Sequence, residues 1–240
     1  MLTDFYGNQL TTSTGLARDS YDIGLRAFLS ANYGAQEAFS QAIEADPNFA
    51  LAYLGLARAF MSSGQAADAK VALGKAKNLL NGSTSREKSH FLCCELLLSG
   101  EAEKARTAVY NHVSKWPRDA MVAQMSTSVF GLIGFSGELG REIDLLEYTE
   151  GLLPHYGEDW WMMSMHAISL CETGQTLNSM KLMEKALSLN SRNANAAHFF
   201  AHILYEENEV SAGRDYLAAW MPNYDRRSLL HGHLSWHQAL

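Results

Sequence analysis

Residues 34–50 read GAQEAFSQAIEADPNFA. Small and large apolar residues recur at helical spacing through Ala35, Phe39 and Ala42. Pro47 closes the run, because a residue without an amide hydrogen does not continue a helix. Moving 34 positions along the chain lands on Ala69, Leu73, Ala76 and Asn81, with small and large residues in the same order. The helix preceding this second copy carries Tyr53, Leu56, Ala57 and Phe60. A later unit has Met163, His166, Ala167 and Leu170, then Gly174, Met183 and Ala186. Another 34 positions give Ala197, Phe200, Ala201 and Leu204, then Asn208, Leu217 and Trp220. Two degenerate units lie between. One is marked by Leu92, Cys93, Leu96, Gly100, Ala105, Val109 and Pro117, the other by Val129, Phe130, Ile133, Gly137, Leu146 and Pro154.

A 34-residue period with aromatic-x-x-Leu-small spacing is the pattern of a tetratricopeptide repeat. The expected fold is all-α: a tetratricopeptide-type α-solenoid of antiparallel helix pairs wound into a right-handed superhelix. Small residues at Ala57, Ala69 and Ala76 let two helices approach, and Tyr53, Leu56, Phe60 and Leu73 fill the layer between them. One pair leaves an apolar face open, and the next pair covers it. Gly64, Gly100 and Gly174 fall at the turns inside pairs. The pattern makes residues 1–240 one repeat domain of about six helix pairs from near Ser20, with a seventh beginning near Arg226 and running to Leu240. The segment SLLHGHLSWHQAL (228–240) then reads as a first helix without a covering partner. Three readings of that open end follow: another element covers it, the chain is part of a longer architecture, or it pairs with itself in a homodimer.

Composition narrows the function classes. Hydrophobic residues make up 47% of the 240 and charged residues 19%, enough to bury a core. The net charge of −7 argues against nucleic acid as the partner, since phosphate binding needs a clustered basic surface. Three cysteines do not make a disulfide framework, so Cys93, Cys94 and Cys171 read as reduced thiols. The first residues show no basic and apolar leader, and no apolar run reaches membrane-spanning length, so the expected location is cytoplasmic, off the membrane. The four prolines, Pro47, Pro117, Pro154 and Pro222, each read as following a helix.

The chemistry is carried by histidine. Five of the nine histidines fall in the last 43 residues. His198 and His202, and again His233 and His237, have i,i+4 spacing, which puts both rings of a pair on one helix face. The two pairs are 35 residues apart member for member, one repeat, and so belong to the first helices of neighbouring units. His198 and His202 fill slots between the packing positions Ala197, Phe200, Ala201 and Leu204, facing the groove. Four imidazoles then converge across helices packed roughly 8–10 Å apart, and zinc takes such ligands at about 2.0–2.1 Å. Glu206 lies one turn beyond His202 as ligand, tautomer partner or general base, and Tyr205 and Trp236 wall the pocket. The plainer alternative is a set of histidines that cap or hydrogen-bond neighbouring units. His166 sits on a packing position and reads as a core histidine. His90, His112 and His155 read as structural or surface groups. No HExxH or CxxC motif is present.

Other signals are local. Thr84 with Glu87 forms a capping box, and Trp160 to Met163 is an apolar block with core spacing. The glycines of GFSGELG (134–140) follow no strand, so a phosphate-cradling loop is not indicated.

Five segments resemble the tetratricopeptide repeat protein 38 family: NQLTTST (8–14), GAQEAFSQAIEADPNFALAYLGLARA (34–59), SREKSH (85–90), HFFAHILYEENE (198–209) and HGHLSWHQAL (231–240). The resemblance runs over nearly the whole chain. It implies the same helical fold, weight on His198, His202, His233 and His237, and members longer than this chain. It implies no reaction or substrate. Two functions are therefore expected side by side. One is a scaffold whose concave groove binds a protein, peptide or small ligand. The alternative is a zinc-type hydrolase, with the histidines holding the ion and Glu206 moving the proton.

Overall fold

The computed structural model describes residues 2–239. Among these the regular structure is helical, apart from one isolated bridge between Thr3 and Gln9. The chain divides into two compact units. The first comprises the chain up to Phe28 with Gly34–Ser126, the second Leu29–Tyr33 with the chain from Thr127 onward.

The first unit contains α1 (Gly15–Leu29, whose last residue is counted with the second unit), α2 (Ala35–Ala45), α3 (Ala50–Ser62), α4 (Ala66–Asn78), α5 (Ser85–Leu98), α6 (Ala102–Val113) and the short α7 (Ala120–Ala123). Helix α3 packs on α2, α4 and α5 and is buried nearly all round. That is why Leu51 and Leu54 are fully buried while Tyr53, Leu56 and Phe60, the expected fillers, are only partly so. Ala57, Ala69 and Ala76 have no exposed surface, as close helix approach requires. Phe39 is seated between two glycines: a Cβ at Gly24 would lie 2.8 Å from its ring and one at Gly55 2.5 Å. Thr84 and Glu87 form the capping box, Thr84 N donating to Glu87 Oε2 at 2.8 Å and Glu87 N to Thr84 Oγ1 at 3.2 Å.

The second unit contains α8 (Arg141–Tyr156), α9 (Trp160–Glu172), α10 (Thr176–Leu189), α11 (Ala194–Glu206), α12 (Val210–Trp220) and α13 (His231–Ala239). Trp160, Trp161, Met162 and Met163 are all buried in it. Helices α9 and α11, the first members of successive pairs, touch each other as well as their own second helices.

The repeat is plainest at the turns. Gly64, Gly100 and Gly174 each have φ +77°, and Asn208, 34 positions after Gly174, has φ +61°. Each is followed by an amide that reaches back five residues: Gln65 N to Phe60 O, Glu101 N to Leu96 O, Gln175 N to Leu170 O and Glu209 N to Leu204 O, at 2.8–3.0 Å. Four helices thus end in one left-handed cap that reverses the chain.

The fourth pair differs from expectation. Its first helix is only α7, and residues 124–140 run mainly through turns. Glycine explains this. Gly137 and Gly140 have φ of +75° and +83°, and a Cβ at Gly134 would lie 2.1 Å from the Val129 carbonyl oxygen. Such residues favour turns over helix by about 1 kcal/mol each. Buried Ile133 pins the segment. Pro154 also departs from expectation: it lies inside α8, in the last turn. Helix α13 begins at His231 rather than near Arg226, because Asp225 accepts from Arg227 N (2.9 Å) and Arg227 Nη2 (2.7 Å), a local turn that competes with helix. Leu240, the end of the expected seventh helix, lies outside the described residues. No described helix is long and apolar enough to cross a membrane.

Candidate metal centre

Two helices of the second unit bring the histidine pairs together. Asn193 caps α11, its Oδ1 accepting from Ala196 N at 3.3 Å. The start of α11 is tied to the 29–33 segment, with Ala194 N donating to Ser30 O (2.9 Å) and Asn195 Nδ2 to Leu29 O (3.0 Å). The same segment fixes the approach to α13. Tyr224 Oη donates to Ala31 O (2.6 Å), and Tyr33 N donates to Ser228 Oγ (3.0 Å). Leu234, with no exposed surface, joins Ala31, Ala194, Leu217, Met221 and Tyr224 in one core cluster. Anchoring Leu234 inward leaves His233 and His237 directed toward α11, where His198 and His202 lie one turn apart.

The four Nε2 atoms meet. His198 Nε2 lies 2.9 Å from His202 Nε2, 2.9 Å from His233 Nε2 and 3.1 Å from His237 Nε2, and His233 and His237 are 3.0 Å apart. All four ligand nitrogens lie within 4.8 Å of one another. An imidazole nitrogen carries either one hydrogen or one in-plane lone pair. His198 Nε2 therefore makes at most one good hydrogen bond, yet three nitrogens surround it at contact distance. Hydrogen bonding among the rings does not account for the arrangement. Four donor atoms gathered this closely have the geometry of a group that could hold one cation. A tetrahedron of nitrogens about 2.0–2.1 Å from zinc has edges of about 3.3–3.4 Å, and the four separations above, at 2.9–3.1 Å, are within a few tenths of an ångström of that.

Electrostatics puts the ligands in the right state. Burial, then the other three rings, holds His198 down at about 2. Burial, then His202 and His233, lowers His237 to about 4. Burial also lowers His202, helped by His233 and opposed by Glu206. These imidazoles are neutral at neutral pH, with lone pairs available. His198 is buried, deeper than a groove slot implies, while His202 and His237 are half-buried and His233 exposed.

The remaining expected site residues divide. Trp236 flanks the cluster, its ring 5.8 Å from His233 and 5.0 Å from His237. Tyr205 is 65% exposed and makes none of the ring contacts around the histidines. Glu206 is exposed and lies outside the four-nitrogen group, acting on it through charge. His166 is buried, with Nδ1 3.0 Å from Thr149 Oγ1, a satisfied core histidine.

A second polar cluster lies in the first unit. Asp119 Oδ2 accepts from Arg86 Nη1 and sits 3.1 Å from His90 Nδ1 and 3.2 Å from His112 Nε2. His112 Nδ1 meets Ser89 Oγ at 2.9 Å, and Arg86 Nη2 donates to Gln9 O at 2.9 Å. Both histidines have no exposed surface. Burial alone would lower His90, but Asp119 overcomes it and His90 is raised to about 9. Asp119 is held well below the usual carboxylate range against its own burial, by the charges of His90 and Arg86. The groups bind one another and join α5, α6 and the turn before α7. His90 and His112, expected as structural or surface groups, are buried and structural, and the one local signal in the sequence that could have linked any of these residues is the i,i+4 spacing of Arg86 and His90.

Residues 34–83 match the family model described as tetratricopeptide repeat. Among solved structures, the chain is similar to the APC/C hetero-tetramer Cut9-Hcn1, at 15% identity and a TM-score of 0.56, covering 93% of this chain. The chain spans 42% of the length of that match. It is also similar to pilF of Pseudomonas aeruginosa (18% identity, TM-score 0.43, 91% of this chain and 96% of that one). A third likeness is to the P58(IPK) TPR domain (15% identity, TM-score 0.34, 93% and 65%). Only the first likeness is strong enough to bear on the fold, and it bears on nothing else. No curated protein matches the chain.

Proposed function

We propose that this chain is a tetratricopeptide-type interaction scaffold whose second unit is braced by one divalent ion, zinc, held between α11 and α13. The observation that carries the metal is the meeting of four Nε2 atoms from His198, His202, His233 and His237, three of them around a nitrogen able to make one hydrogen bond. An all-imidazole donor set suits zinc, copper, iron and nickel, and the four-coordinate tetrahedral preference favours zinc. Catalytic zinc keeps a position open for water, whereas four protein ligands close the sphere. Glu206 stands outside that sphere. A structural ion is therefore the better reading than a hydrolytic one. The scaffold half rests on the repeat fold, in which first helices of successive pairs touch within each unit (α3 with α5, α9 with α11) and so offer a surface for a protein or peptide partner. Membership of the tetratricopeptide repeat protein 38 family is part of the same proposal and rests on the five matching segments.

Elemental analysis of untagged protein tests the metal. About one zinc per chain is expected, retained in Glu206→Gln and lost in the double variant His202→Ala, His237→Ala, with helical circular dichroism largely kept. Protein that is metal-free as purified and takes up no zinc, nickel or copper on titration overturns the reading.

A further inference from the structure

The irregular segment that replaces a helix in the fourth repeat position leaves a cavity of about 520 Å³ in the second unit, lined by Val129, Phe130, Phe135, Arg141, Leu145 and Glu172 among others. That size falls within the range of small-molecule sites. Two features single it out. First, Phe130 and Phe135 are 62% and 72% exposed and meet edge to face at 5.5 Å, although Ile133 between them is buried. Large aromatic side chains are held at a cavity mouth with no protein covering them. Second, the charges do not balance. The lining holds one cation, Arg141, and two carboxylates, Glu142 and Glu172. Arg141 Nε pairs with Glu142 Oε1 at 3.1 Å on the rim, so at Glu172, at the end of α9, it acts only through charge. Glu206 repeats Glu172 one 34-residue period later, so the same edge carries a second negative charge. Partial burial, then Glu142 and Glu206, raises Glu172, with Arg141 offsetting only part of the effect. A cation entering this space relieves that crowding.

We propose that this cavity binds a small organic ammonium with an apolar body, the body against Phe130, Phe135, Val129 and Leu145 and the charged head on Glu172. An aromatic pair beside a carboxylate in a net-negative lining attracts an ammonium twice, through the ring quadrupole and through charge. The same arrangement disfavours an anion of equal size, which meets two carboxylates, Glu142 and Glu172, and finds the one cation, Arg141, already paired with Glu142. The site shares no residue with the histidine cluster and does not depend on the metal.

The test is calorimetric titration of the full chain with 2-phenylethylammonium, and in parallel with phenylacetate, which has a similar body and opposite charge. Binding of the first and not the second is expected. Glu172→Gln and Phe135→Ala should each weaken binding at least about tenfold. Both side chains are exposed, and circular dichroism should show the helical signal unchanged. His202→Ala should bind like the wild type, which separates this site from the metal. No binding of the ammonium, equal binding of phenylacetate, or unchanged affinity in either cavity variant overturns the proposal.

Discussion

Withdrawing the proposed zinc should release α13 while the rest of the second unit stays folded. The helix has nine residues and one buried side chain, Leu234. Isolated helices shorter than about 12–15 residues are marginal in water. Ordering nine residues costs about 1–2 kcal/mol each, so roughly 9–18 kcal/mol. Burying Leu234 contributes about 1.5–3 kcal/mol. The shortfall is of the order of the 10–16 kcal/mol that a structural zinc ion supplies. By contrast α11 packs on α9, α10 and α12 and keeps Ala196, Ala197, Phe199 and Ile203 buried without help from the ion. Hydrogen exchange before and after treatment with a chelator reads the difference. Protection of the amides at 234–238 should fall at least about 100-fold, while amides in α9 hold theirs within a small factor. Re-addition of zinc should restore it. Equal protection of α13 with and without metal would refute the reasoning, because Leu234 and its neighbours would then suffice to dock the helix.

Three further outcomes follow from the first unit. His90 is raised above its unfolded value of 6.5 to about 9, so its stabilising contribution is full below pH 6.5 and is lost as pH rises through 9. Urea denaturation should show this as a loss of the order of 3 kcal/mol across that window, at ~1.4 kcal/mol per pKa unit, and His90→Gln should flatten it. Gly55→Ala should destabilise by about 1–3 kcal/mol, measured from the urea midpoint, because its methyl group overlaps the buried Phe39 ring. Thr84→Ala should cost about 1 kcal/mol by the same assay, since it deletes the hydroxyl that receives Glu87 N.

The repeat was legible because it rests on local physics. A small residue where helices touch, a large one in the layer between and a left-handed residue at the turn leave a 34-residue trace. Asn208 in the place of Gly174 shows how closely that trace was kept. The histidine pairs were legible for the same reason, as spacings of 4 and 35 fix face and register. What stayed hidden depends on distant partners. Nothing near His198 in the sequence announces its depth, which comes from Phe199 beside it and α13 across from it. Asp119 meets His90 across 29 positions, through a turn whose path no periodicity encodes. The fourth pair failed because Val129, Phe130 and Ile133 have helical spacing, while the glycines among and after them demand turns. Residue types at matching intervals did not weigh that cost.

X-ray absorption at the zinc edge of metal-loaded protein addresses the four-histidine centre itself. Four nitrogen neighbours at about 2.0–2.1 Å with imidazole outer-shell scattering are expected, falling to fewer imidazoles in His237→Ala. A spectrum with one or two imidazoles and the rest water or carboxylate oxygen, unchanged by that substitution, contradicts it.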